Sequence, residues 1–179
     1  ILNLKYINDL DQKNKIIWQI NYTDSPYAYD PGGLKLSEVE DNRRQARKNN
    51  IDYDTYEMVK HLKTGVSWNY KKSENSFFDS YFFYQKRDFY SKLPFNFGGV
   101  ISIDRNYYGF GSKFTRNKNF ENRNNSFVLG IDHLSQSDDR KRFKNNFGIK
   151  GDITLSQMEN FDSTGLYLVN QTTFNTGFL

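Results

Sequence analysis

The chain has 179 residues, 26% of them charged, a net charge of +4 at pH 7 and no cysteine. Hydrophobic residues make up 36% and mean hydropathy is −0.84, lean for a soluble core, yet aromatic residues reach 17%. So many aromatics exclude a disordered chain, and the lack of any apolar run near 20 residues excludes a transmembrane helix. The charges are interspersed rather than blocked, which leaves no nucleic-acid footprint.

Strand one is expected over residues 1–8, where Leu2, Leu4 and Tyr6 alternate with Asn3 and Lys5. A tight connection at 9–15 leads to strand two, 15–23. There Ile16, Trp18, Ile20 and Tyr22 share one face and Gln19 and Asn21 the other, the period of two that a strand imposes. A wide connection follows over 25–54, turned by Pro26, Pro31, Gly32 and Gly33. Within it, 36–47 reads as one short helix with Ser37 as N-cap, acids in its first turn and arginines in its last.

Strand three, 56–71, sets Leu62, Val66, Trp68 and Tyr70 against His61, Lys63, Ser67 and Asn69. Trp68 and Tyr70 stand beside the tight turn at 71–76, as an aromatic girdle would. Strand four, 76–90, is so dense in aromatics that its alternation is blurred and its apolar side stays open. A wide connection at 91–97 precedes strand five, 98–118, where Gly109 and Gly111 oppose Phe110 and Phe114 as in a crowded interior or a bend. After a tight turn at 121–124 come strand six, 126–135, a wide connection at 137–160 and strand seven, 163–174. A further turn is expected at Asn175-Thr176-Gly177.

Tight and wide connections alternate without exception, which is the grammar of an antiparallel up-and-down barrel. In outer-membrane barrels the tight turns face the periplasm and the long loops face outside. Several strands exceed the 9–11 residues that span a bilayer at a tilt, as in a large receptor barrel. Seven strands cannot close such a barrel, so the chain is expected to be one arc of its wall, with both termini cut from a larger protein.

The motifs inside the connections carry a resemblance. Asp30-Pro31-Gly32-Gly33-Leu34, then Glu40, Arg43, Arg44, Ala46 and Arg47, then Tyr53-Asp54-Thr55, resemble a loop and following strand of TonB-dependent outer-membrane receptors of the ferric-siderophore type. Arg87-Asp88-Phe89 with Leu93-Pro94-Phe95 and Gly98-Gly99 is similar to the next hairpin of that family. Gly130-Ile131-Asp132, Asp138-Asp139-Arg140, and Gly151 to Leu155 with Gln157 continue it in order. The resemblance implies a 22-stranded barrel with an N-terminal plug, contact with TonB, and energised import of an iron chelate. No part of the chain reads as a plug or a TonB-contact segment, so residues 1–179 are expected to belong to the barrel domain alone.

On this basis the expected partners are a ferric siderophore or similar chelate, outer-membrane lipid and, through other parts of the protein, the TonB complex. Candidate ligand contacts are Tyr27, Tyr29, Arg43, Arg44 and Arg47 in the first wide connection and Arg140, Lys141 and Arg142 in the third. Cationic and aromatic groups there would take an anionic chelate by charge and stacking. No catalysis, cofactor or metal is expected. His61 and His133 lie on separate strands, Asp138-Asp139 supplies too few oxygens for calcium, and Gly109-Phe110-Gly111 lacks the setting of a phosphate loop. A passive porin-like channel, or a soluble β-rich binding module, would also account for the strands.

Overall fold

A computed structural model describes residues 1–174. The strands are β1 (Leu2–Asp9), β2 (Asn14–Tyr29), β3 (Tyr56–Ser73), β4 (Ser76–Lys92), β5 (Val100–Phe120), β6 (Arg123–Asn146) and β7 (Ile149–Phe174), with helices α1 (Leu36–Asn42) and α2 (Lys48–Asp52) between β2 and β3. All seven strands form one antiparallel sheet in sequence order, β1 through β7, and the sheet is not closed. The turn expected at 175–177 lies outside the described residues.

The register resolves the two faces. Trp18, Val66, Phe82, Phe110 and His133 lie in one cross-strand row, and Ile20, Thr64, Tyr84, Tyr108 and Ser135 in the next. Leu4, Tyr6, Leu129, Ile131, Leu166 and Leu168 extend this apolar face to both edges. On β4 the apolar side is therefore Phe78, Phe82 and Tyr84, while Phe77, Tyr81 and Phe83 point the other way. Blurring arose because aromatics occupy both faces.

Val100 is the one fully buried apolar residue among those described. A single sheet has no second layer, so its apolar face stays open: Trp18 is 41% exposed, Phe82 47% and Leu129 49%. Polar groups on that face are nonetheless partnered. Thr64 accepts from Trp18 Nε1 at 2.9 Å and donates to Gln19 O at 3.1 Å. Ser80 and Ser112 bond each other at 2.8 Å, and Tyr84 donates to Asn106 at 2.8 Å. Near the tight turns, Trp68, Tyr70, Phe78 and Phe114 form a continuous ring row with centroids 4.8 to 6.3 Å apart.

The opposite face is polar and crowded. Tyr81 donates to Asp132 at 2.7 Å and Asn69 to Asp79 at 2.6 Å. A Cβ at Gly109 would overlap Leu134 and Phe83, and one at Gly111 would overlap Asp132 and Tyr81. These glycines leave room for rings that lie flat on the sheet, the crowded interior expected of them.

Three expectations about the connections are corrected. The wide connection at 137–160 is instead a long β6–β7 hairpin turned at Phe147-Gly148, with Phe147 at φ 48° and Gly148 at φ 87°. Its strands project beyond the apolar belt, where β6 is polar on both faces but for Phe143 and β7 carries only scattered apolar residues such as Ile153 and Leu155. β2 likewise continues to Tyr29 through an irregularity between Ser25 and Ala28. The helical segment is two helices, not one. Lys35, not Ser37, is the N-cap, with Glu38 reaching back to its N–H, and the last turn of α1 carries no base.

Candidate functional site

At the end opposite the tight turns, the three loops are tied into one body. The backbone of Asp30 carries a first knot: Thr55 Oγ1 and Asn50 Nδ2 both donate to its carbonyl, at 2.7 and 3.1 Å. Its carboxylate accepts from Gly32 N at 2.8 Å, holding Gly32 at φ 71°. A Cβ at Gly32 would run into the Asn50 amide, so glycine is required twice over.

The second knot is Asn145, fully buried. Its Nδ2 donates to Tyr53 O at 3.1 Å and Leu93 O at 3.0 Å, and its Oδ1 accepts from Gly148 N at 2.8 Å. Its own N–H donates to Asn96 O at 2.7 Å. One amide thus joins the β2–β3 loop, the β4–β5 loop and the β6–β7 turn, and Tyr53 stacks on Phe147 at 5.0 Å. The motifs Asp30-Pro31-Gly32-Gly33, Tyr53-Asp54-Thr55, Leu93-Pro94-Phe95 and Gly98-Gly99 converge on these knots. Their role here is to order the loops.

Lys92 closes the assembly. Its ammonium, nearly buried, bonds the Asp54 carboxylate at 2.7 Å and lies 4.8 Å from the centre of the Tyr56 ring. Burial pulls its pKa down, but the Asp54 hydrogen bond and the surrounding negative groups outweigh this and hold it above the ordinary lysine value.

The candidate ligand residues are divided among three places. Tyr27 and Tyr29 stand on β2 rather than in a loop, on the side that continues the apolar face, 59% and 73% exposed. They cluster with Tyr56, and Tyr56 with Tyr90. Arg43, Arg44 and Arg47 flank the two short helices, exposed and without an ion pair among the described residues. Arg140, Lys141 and Arg142 lie on β6, not in a loop. Lys141 shares the apolar side with Asp139, to which it bonds at 2.7 Å, whereas Arg140 and Arg142 are on the polar face.

Two arginines not chosen from the sequence join them there. Arg87 lies directly opposite Arg105, and Arg105 directly opposite Asp138. Arg105 grips Asp138 through Nε at 2.8 Å and Nη2 at 2.5 Å, and Arg140 bonds Glu159 at 3.1 Å. The signal for Arg105 was available in parity, since it lies an even number of residues from Gly109 and Gly111, whereas Arg87 lies on β4, whose faces only the pairing with β3 and β5 resolves.

A seven-stranded antiparallel meander in strict sequence order, apolar on one side and polar on the other, is a wall segment of an up-and-down β-barrel. No known protein-family model matches the sequence. Among solved structures, the fold matches the crystal structure of the ferric citrate transporter FecA in the unliganded form, with a TM-score of 0.76 and 16% sequence identity. The match covers 96% of this chain and 26% of that one, so the chain spans about a quarter of that transporter's length. At that identity the likeness is one of fold.

Proposed function

We propose that this chain is an arc of the barrel of an outer-membrane receptor that imports a ferric siderophore or a similar metal chelate, driven by TonB. The observation that carries it is the apolar belt that crosses all seven strands on one face of the sheet. On β3 the belt runs from Leu62 to Tyr70, a length within the roughly 9–11 residues that cross a bilayer at a tilt. Backbone groups between the sheet edges are all in ladders, and side-chain polar groups within the belt bond one another, as hydrocarbon requires.

In this orientation the ring row of Trp68, Tyr70, Phe78 and Phe114 marks the periplasmic interface, and the knotted loops face outside. On this reading the polar face lines the interior, Arg140 and Arg142 lie along the path of the ligand, and Arg43, Arg44 and Arg47 stand at the mouth. Tyr27, Tyr29 and Lys141 stand on the outside of the wall, above the lipid. The motif order in the loops and the fold shared with a ferric citrate transporter favour chelate uptake over a passive pore.

The test is a strain lacking the gene, starved of iron and supplied with a panel of ferric chelates. Loss of growth and of radioactive iron uptake on at least one chelate is expected, and removing TonB should cause the same loss. Unchanged uptake on every chelate would sink the proposal.

A further inference from the structure

We infer that the polar face, beyond the belt on the loop side, binds an elongated anion with at least two carboxylate or phosphate groups, gripped by Arg87 and Arg142. This takes the polar face to line a water-filled interior, as the uptake reading does.

Four arginines occupy that stretch of the face: Arg87 on β4, Arg105 on β5, and Arg140 and Arg142 on β6. Two of them are neutralised, Arg105 by Asp138 and Arg140 by Glu159. Arg87 and Arg142 have no carboxylate or other hydrogen-bond partner among the described residues, and the Nε of each is buried without an acceptor.

Like charges directly opposite on neighbouring strands are destabilising, yet Arg87 faces Arg105. Carboxylates are not scarce at this level. Asp88, Asp104 and Asp139 form a cross-strand row at the same height, but they stand on the other face, where Lys86 and Lys141 take them up. The acids beside the two free arginines are thus all engaged elsewhere: Asp138 by Arg105 and Glu159 by Arg140 on the same face, and the aspartate row by lysines on the other. Asp138 answers the charge of Arg105, but no carboxylate among the described residues answers that of Arg87 beside it, and a charge left so is expected at a functional position.

Both guanidinium groups are also positioned. Arg87 lies over the Phe89 ring, 5.2 Å from its centre. Arg142 runs along Gly98, where a Cβ would sit 3.5 Å from its Cδ. A planar, held guanidinium offers two parallel N–H groups to one carboxylate or phosphate, which an ammonium cannot do. Arg142 pairs with Ile101, four residues along β5 from Arg105, and β4 lies one strand further. Strand rise and spacing then separate the two backbone positions by roughly 16 Å. Two free guanidinium groups on one face, carried on separate strands, favour one molecule with two or more acidic groups over a small monovalent anion.

The test is equilibrium titration of the intact receptor, purified in detergent at low ionic strength, with tripolyphosphate, citrate and acetate. At least one polyanion should bind, and acetate should bind far more weakly. Arg87→Gln and Arg142→Gln should each weaken polyanion binding about tenfold, as expected for a lost charge-assisted bond. Arg87→Lys should fall between, since charge is kept and the fork is lost. Lys60→Gln, on the opposite face, should change nothing. The inference is overturned if neither polyanion binds, if acetate binds as tightly, or if Arg87→Gln and Arg142→Gln bind like the parent. Iron uptake lost on gene deletion, with polyanion binding unaltered in both variants, removes this site and leaves the uptake reading standing. Polyanion binding that needs both arginines, in a protein whose deletion leaves uptake intact, does the reverse.

Discussion

Asn145 carries more of the loop architecture than any other side chain. Replacing it with Ala strands Tyr53 O, Leu93 O and Gly148 N, and at about 1 kcal/mol for each lost bond the loop body should weaken by about 3 kcal/mol. Faster proteolysis within the β2–β3 loop, with the belt region still protected, is the expected result. Asp11 does similar work at the tight β1–β2 turn. Its carboxylate accepts from Lys13 N at 2.6 Å, from Asn14 N at 2.8 Å and from the Asn14 side chain, and these bonds, the Lys13 N–H first, hold its pKa below the ordinary carboxylate value. A lowered carboxylate pKa adds stability that is present above the unfolded value and lost as pH falls through the folded one. Acidification through that range should loosen this turn, seen as faster amide exchange at Lys13 and Asn14, and Asp11→Asn should remove the pH dependence.

At the scale of the strand, parity decides what a substitution does. Phe82 and Gln85 are neighbours on β4, but Phe82 lies in the apolar row and Gln85 on the polar face. Phe82→Arg should cost about 2–4 kcal/mol in a bilayer, while Gln85→Arg should cost little, compared by unfolding in lipid vesicles. Equal effects would contradict the assignment of the faces. Gly111 tests the polar side in another way. Gly111→Leu drives a side chain into Asp132 and the Tyr81 ring, breaking their 2.7 Å bond. It should impair folding more than Ser112→Leu on the apolar face, measured as the folded fraction in detergent.

The whole sheet has two unpaired edges, β1 and β7, and an apolar face with nothing over it. Residues 1–179 expressed alone should aggregate in buffer through those edges and that face, and become soluble only with detergent. A monodisperse monomer without detergent, shown by light scattering, would instead support a soluble binding module. Long strands and knotted loops rise together on one side of the belt. The hydrogen bonds of Asn145 and of the Asp30 carbonyl make that end one ordered surface.

Strand patterns and the turns between them were enough to find β1, β3, β4 and β5 to within a few residues and β2 as far as Thr23, and period-two alternation separated the two faces on β2 and β3. A sheet with one apolar face needs an apolar residue at every second position, and that constraint is visible in a single strand. The motifs of the first two wide connections were legible for a related reason, because a positive φ at Gly32 or Gly98 admits few other residues. Beyond the belt the constraint lapses. The upper half of β6 is polar on both faces but for Phe143, and Ser25 and Pro26 interrupt the end of β2, so Arg140, Arg142, Tyr27 and Tyr29 read as loop. Only register with a neighbouring strand shows them to be extended and assigns their faces. The same holds for β4, where Phe77 and Phe78 are indistinguishable until paired with Thr115 and Phe114. The sequence alone determined a one-layered barrel wall with two unlike ends. Tertiary structure decided which charges share a face, because that depends on cross-strand pairing between residues far apart in the chain.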